Sequence, residues 1–154
     1  MSDLERIFVT AAVTVLVGVS VFAFGQVLLK FLIEPVHELR KAIAAVRFSL
    51  LFFAPDILTP IGRTPESSTT ARNALLKNSA DLYICCEAIR GYSAISFIFR
   101  LPEKSKVLSA AKWLRGLSTY MHETGERAEG HIDEIRKTVK RIETELGLQT
   151  LGES

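Results

Sequence analysis

A charge-free apolar run near the N-terminus constrains this chain more than any other feature. No charged residue occurs between Arg6 and Lys30, and the part from Ile7 to Gly25 is almost continuously apolar. About 20 apolar residues in a helix span the ~30 Å hydrocarbon core of a bilayer. The run is long enough for this, so it predicts a transmembrane helix.

A cleaved signal peptide is the alternative interpretation of the same run. Such a peptide has a basic flank, a shorter apolar stretch and an A-x-A cleavage pattern. Here the flank MSDLER contains acids, and the run ends in FAFGQVLLK without that pattern. We therefore predict a permanent membrane anchor.

The basic residues on either side of the run predict its orientation. Arg6 is the basic residue before the helix, whereas four basic residues follow it closely, namely Lys30, Arg40, Lys41 and Arg47. Loops rich in lysine and arginine stay on the cytoplasmic side of a membrane. We expect a single-pass protein of a bacterial inner membrane, with its N-terminus outside and its C-terminal domain in the cytoplasm.

Charge and cysteine content exclude several classes of protein. The chain has a net charge of only +2, which gives no general case for nucleic-acid binding. Its two cysteines, Cys85 and Cys86, are adjacent, and neighbouring cysteines rarely form a disulfide. No phosphate-binding loop, dinucleotide fingerprint, zinc-binding cysteine set or nucleophile elbow occurs. We expect reduced thiols, no cofactor and no metal, with membrane lipid as a partner.

The remainder of the chain has the apolar spacing of amphipathic helices. Steps of three and four residues predict four helices with short connections, which is typical of a helical bundle. The predicted fold class is all-α: an N-terminal transmembrane helix followed by a cytoplasmic four-helix bundle. The predicted segments are a tail and anchor (1–33), a juxtamembrane helix (34–53), a Pro-rich loop (54–70), a bundle that packs with the juxtamembrane helix (71–147) and a tail (148–154).

The inner faces of three bundle helices can be assigned from this spacing. The first helix starts near Ala71 with Thr69 or Thr70 as its cap, and Pro102 with Glu103 opens the second. The third follows a break around Gly125, whereas the conformation of residues 91–101 is left open. The predicted inner faces are Leu75, Leu82, Cys86 and Ile89; then Val107, Ala110, Ala111, Leu114, Leu117 and Met121; then Ala128, Ile132, Ile135, Val139, Ile142 and Leu146.

Small residues on one side of the anchor predict self-association. Ala11, Gly18 and Gly25 recur every seven residues, and small side chains let transmembrane helices approach closely. The alternative is that small residues are simply common in membrane helices. The same register continues as a heptad pattern past Pro35, which should kink or restart the helix. The predicted interface comprises Ala11, Thr14, Gly18, Gly25, Leu29, Leu32, Val36, Leu39 and Ile43.

Gln26 and Lys30 are polar residues one turn apart near the inner end of the anchor. Polar groups in membrane helices usually face protein or water. Lys30 can simply extend its amine to the lipid headgroups. In an oligomer, rings of both residues can line the inner mouth of a pore.

Two short patterns raise alternative chemistry. Arg115 and His122, seven residues apart in RGLSTYMH, resemble the Arg-x(4–6)-His pair of HEPN ribonucleases, which are four-helix bundles. The resemblance implies a histidine acid or base and an arginine that stabilises phosphorane charge. Glu34 and His37 form half of a di-iron motif, but a second half is missing. We interpret that pair as a solvated surface beside the headgroups.

Two longer segments resemble a family of short bacterial single-pass membrane proteins. The first is LIEPVHELRKAIAAV and the second RLPEKSKVLSAAKWLRGLS. They are similar to that family's EP-x-x-E-x-RK and LP-x-K…GLS segments, and the chain departs from it at Ala44, Ala45 and Thr119. The layout of one anchor and a helical cytosolic bundle is also similar to membrane accessory proteins of RNA-targeting CRISPR systems, which implies a homo-oligomeric pore.

These patterns lead to three hypotheses of function. The first is a non-enzymatic, self-associating inner-membrane protein, acting as a pore-forming or membrane-depolarising antiviral defence effector. The second is a membrane-tethered HEPN-like ribonuclease that uses Arg115 and His122. The third is a membrane adaptor that recruits a cytosolic protein partner.

Overall fold

The computed structural model describes residues 3–59, 64–121 and 130–148, and within these ranges all regular structure is helical. The chain divides into two compact units, residues 1–35 and 36–154. The helices are α1 (Asp3–Leu28), a π-helical turn (Leu29–Ile33), α2 (Glu34–Phe52), α3 (Ala54–Leu58), α4 (Pro65–Ala88), α5 (Tyr92–Phe99), α6 (Lys104–Tyr120) and α7 (Ile132–Leu146). The predicted all-α class is confirmed.

Pro35 determines the form of the helix that precedes it. Proline has no N–H to donate, and its ring crowds the carbonyl four residues back. The backbone relieves this by widening into the π-helical turn, in which the N–H of Glu34 donates to the carbonyl of Leu29. Pro35 then lies in the first turn of α2. The interruption predicted at Pro35 is thus a local widening.

Side-chain contacts show that α2, α4, α6 and α7 form an antiparallel bundle. Ser79 of α4 donates to the carbonyl of Ala111 at 2.7 Å, and about two turns further along α4 Glu87 pairs with Lys104 at 3.0 Å. As the α4 residue number rises the α6 number falls, so the two helices run in opposite directions.

The other bundle contacts follow the same rule. Between α6 and α7, Ser109 donates to Glu145, and Arg141 stacks over Trp113. Asn78 of α4 donates to Ser49 of α2 at 2.8 Å. The α4–α6 and α6–α7 contacts place the end of α4, the start of α6 and the end of α7 at one end of the bundle. The start of α2 lies at the same end, because burial, the charge of Asp81 and the charge of Glu38 together raise the pKa of the Cys85 thiol near the end of α4.

The predicted inner faces form the core. All of the described residues assigned to those faces are buried except Ile132, which is half-buried. Ala128 lies outside the described residues. The α2 helix contributes Val36, Leu39, Val46 and Leu50 to the same core.

The predicted loop 54–70 is wrong in two places. Residues 54–58 form α3, whose Ile57 is buried, and α4 begins at Pro65 instead of near Ala71. Thr64 is the N-cap, because its hydroxyl accepts a hydrogen bond from the Ser67 N–H at 3.1 Å. Proline at the first helical position needs no N–H partner, so Pro65 starts this helix instead of breaking it.

The segment left open, residues 91–101, contains the short helix α5. Gly91 before it and Arg100 after it both have left-handed backbone conformations, with φ of 69° and 51°. The extended backbone of Ile89 ends α4, Gly91 is the N-cap of α5, and Arg100 ends α5. The α4 and α5 helices meet at an angle of 104°. The α5 helix therefore turns away from the bundle axis at the end where α2 begins.

Candidate functional site: the apolar anchor helix

The surface of α1 is apolar, and all of its residues, Asp3–Leu28, are exposed. Its most apolar 18-residue window has a mean hydropathy of 2.5, and none of that window is buried. A core helix of a soluble domain would be covered by its neighbours. The helix is thus long and apolar enough to cross a membrane, as predicted.

Hydroxyl groups within α1 are satisfied by the helix itself. Thr10, Thr14 and Ser20 each donate to the carbonyl four residues before, at 2.8–2.9 Å. An unsatisfied polar group in hydrocarbon raises the free energy by several kcal/mol, because no water is present to hydrogen-bond with it. These three residues can therefore face lipid without that penalty.

Gln26 differs from these hydroxyl residues. Its side chain is exposed, and within the described part of the chain its amide makes no hydrogen bond. The amide carries two N–H donors and a carbonyl acceptor, whereas a hydroxyl has a single donor, which in these three residues is already bonded to the backbone. Lys30, one turn further on, is also exposed, and its longer chain can reach the headgroups.

The small-residue stripe of α1 is open. Nothing lies within 4 Å of where a Cβ would stand at Gly18 or Gly25. Ala11 and Thr14 are also exposed. The stripe therefore leaves room for another helix to approach.

The α2 residues of the predicted interface pack against the chain's own bundle. Val36 and Leu39 are 3% and 0% exposed, because both pack into the bundle core, and Ile43 is half-buried. Leu29 and Leu32 of the π-helical turn are 43% exposed and half-buried, respectively. Surface for another chain is therefore available on α1 rather than on the buried face of α2.

The structure places one member of the predicted catalytic pair. Arg115 is exposed on α6, at one end of a shallow groove of about 530 Å³ between α4 and α6 that Tyr83 and Ile84 also line. His122 lies outside the described residues. The ribonuclease pair therefore stays a prediction.

A groove between α6 and α7 was not predicted. Arg141 lies 4.7 Å from the centre of the Trp113 ring, and Lys106, Lys137 and Glu134 are among the other residues around about 750 Å³ of open space. Arginine–tryptophan stacking contributes about 0.5–1 kcal/mol at exposed sites. The single tryptophan on an amphipathic helix was the available signal, but its partner depends on how α6 and α7 pack.

The cysteines have the environment of inert thiols. Cys86 is fully buried and Cys85 half-buried. Burial raises the pKa of both thiols, so both are protonated at neutral pH and neither is an activated nucleophile.

Within residues 3–59, 64–121 and 130–148, no three His, Cys, Asp or Glu side chains are grouped so that they could hold an ion. Both Glu34 and His37 are exposed.

Comparison of the chain with protein-family models, curated proteins and solved structures finds no match. The resemblances drawn from the sequence therefore stay predictions.

Proposed function

We propose that this protein is a single-pass membrane protein that self-associates through α1 and holds its helical bundle at the cytoplasmic face of a bacterial inner membrane. The bundle contributes no chemistry to this proposal. The bundle presents a folded surface at the membrane in which α1 is inserted.

The observation that carries the proposal is the exposed amide of Gln26, which bonds no other described residue and lies beside an open stripe. In lipid, apolar surface provides no drive for helices to associate, so close packing and interhelical hydrogen bonds must do so. Gly18 and Gly25 provide the space, and Gln26 can pair with Gln26 of a second copy. Thr14 contributes mainly space, because its hydroxyl already bonds the carbonyl of Thr10.

The orientation is supported by basic residues that follow the apolar run and are exposed. Lys30, Arg40, Lys41 and Arg47 follow the apolar run, and all four are exposed. A cluster of this kind is retained on the cytoplasmic side. The bundle, which starts with α2, then lies in the cytoplasm.

Crosslinking of the full chain in native membranes tests self-association. Gln26→Leu removes the amide but keeps the bulk, and an interhelical hydrogen bond in lipid contributes about 0.6–1.7 kcal/mol. We expect the association constant to fall by about three- to twentyfold. Gly18→Ile fills the stripe and should also reduce the crosslinked fraction.

Ser20→Ile is the matched control for Gly18→Ile. Two residues further along a helix lie about 200° around it, so this substitution adds bulk on the far side. It should leave crosslinking unchanged. A monomeric wild-type chain, or equal crosslinking in all variants, contradicts the proposal.

Gln26 and Lys30 support a second candidate function, an ion-conducting assembly. The two side chains are exposed and about one turn apart on α1 and the π-helical turn. In a closed ring of copies they would form a polar, positively charged inner mouth. Such an assembly would depolarise the membrane.

A further inference from the structure

The α5 helix presents bare apolar side chains outside the proposed anchor. Phe97 is 87% and Ile98 69% exposed, whereas Tyr92 and Ile95 on the opposite face are buried. The buried face holds the helix to the bundle, and the Tyr92 hydroxyl donates to the carbonyl of Pro102 at 2.8 Å. Two adjacent large apolar side chains exposed to this extent mark a surface that a membrane or a partner can cover.

This helix is too short to cross a bilayer. Its 8 residues rise about 12 Å, against a hydrocarbon core of ~30 Å. It cannot be lengthened by α4, because the two helices meet at 104°. An apolar helix of this length fits along a membrane surface.

A hydrogen bond holds α5 beside the start of α2. The Arg40 guanidinium donates to the carbonyl of Phe99 at 2.8 Å. Arg40 follows Ile33 by seven residues, which span about 10 Å as a helix and at most about 25 Å when extended. Chain connectivity alone therefore limits how far Arg40, and the α5 helix that it bonds, can lie from the end of the apolar run.

The charges around α5 complement an anionic lipid surface. Arg90 and Arg100 flank the helix and are exposed, and Arg40 lies at its C-terminal end. Lys104 is paired with Glu87, and Glu103 is the nearby exposed acid. Basic residues beside an exposed apolar face are typical of helices that lie at anionic lipid headgroups.

We propose that α5 is a second membrane contact, which inserts Phe97 and Ile98 into the headgroup region of an anionic phospholipid bilayer. The contact would fix the end of the bundle against the membrane that α1 crosses. It rests on the proposed anchoring by α1, and the experiment below separates the two.

Depth-dependent fluorescence quenching tests the contact. The full chain carries a single tryptophan, Trp113, which W113F removes while keeping a ring near Arg141. In that background we introduce F97W and reconstitute the protein in nanodiscs containing phosphatidylglycerol. We expect emission at shorter wavelength than in water, and stronger quenching by nitroxides near the headgroups than at the chain ends, because interfacial helices insert about 5–10 Å.

Two further variants provide the controls. F52W places the same probe on an exposed apolar site at the far end of α2, where Phe52 is 64% exposed. It should be quenched by aqueous iodide and not by lipid nitroxides. V15W reports on the anchor, and chain-end nitroxides should quench it strongly.

The outcomes distinguish the two proposals. Loss of quenching in V15W contradicts the anchoring by α1. Strong quenching in V15W with none in F97W contradicts the lipid contact of α5 alone. Shielding of F97W from iodide without lipid quenching also overturns it, because the exposed face is then covered by protein. Nanodiscs of phosphatidylcholine alone should weaken the headgroup quenching of F97W, and unchanged quenching there contradicts the role of the basic residues.

Discussion

The Asn78 side chain shows how a polar residue can fix the packing of two apolar helices. It is 6% exposed, and its amide donates to the Ser49 hydroxyl at 2.8 Å and to the Ala45 carbonyl at 3.4 Å. The apolar spacing of α4 omits it, since asparagine is usually exposed. Asn78 is buried because α2 packs against α4 at this position, and the sequence of α4 alone does not contain that information.

Replacing this residue should destabilise the bundle. Asn78→Ala leaves a buried acceptor and hydroxyl without their donor, and we expect a cost of about 1–3 kcal/mol. Asn73→Ala, on the exposed side of the same helix, should change stability by about 0.5 kcal/mol or less. Chemical unfolding of the full chain in detergent, followed by circular dichroism, measures both. Equal effects would show that the Asn78 hydrogen bonds contribute nothing to stability.

At the scale of elements, the ends of the helices depend on backbone conformation. Gly147 ends α7 at φ 64°, with its N–H bonded to the Thr144 carbonyl and that of Leu148 to the Glu143 carbonyl. This is the Schellman arrangement, which glycine adopts without steric cost. A glycine directly after the last apolar position of a helix is a local signal of such a cap, whereas no local signal indicates that Arg100 adopts the same conformation at the end of α5.

Two glycines should respond oppositely to the same substitution. Gly147→Ala places a Cβ in a left-handed conformation, at a cost of about 1–2 kcal/mol. Gly116 lies inside α6 with open space where its Cβ would stand, so Gly116→Ala should stabilise by about 0.5–1 kcal/mol. Thermal unfolding of the two variants compares the signs. A loss of stability at Gly116 would indicate a constraint that the fold does not explain.

At the scale of the whole molecule, the second candidate function can be tested by conductance. If Gln26 and Lys30 line the mouth of a pore, the wild-type protein in proteoliposomes should release trapped ions, with anions favoured by the ring of Lys30 amines. Lys30→Glu should reverse the preference towards cations. Lys41→Glu, in the exposed pair with Glu38 on α2, makes the same charge change outside the apolar run and should leave the preference unaltered. Absence of flux from the wild type removes the pore while leaving self-association to its own test.

The sequence by itself determined the elements whose signals are local and repeated. A charge-free run long enough for a bilayer predicts α1, and steps of three and four predict the inner faces of α4, α6 and α7, because each helix must bury one stripe. Gln26 and the small-residue stripe are visible for the same reason. The predicted start of α4 near Ala71 is wrong because that prediction assigns Pro65 to a loop. A proline in a loop and a proline at the first position of a helix cannot be distinguished from the sequence alone.

Tertiary structure decided which of these surfaces are available. Val36 and Leu39 continue the sequence register of α1, but the bundle buries them, so they cannot also meet another chain in this fold. Phe97 is apolar like its neighbours in the sequence, and only the turn between α4 and α5 leaves it exposed. The spacing of apolar residues indicates which side chains must be buried, whereas the packing of helices distant in sequence determines what covers them.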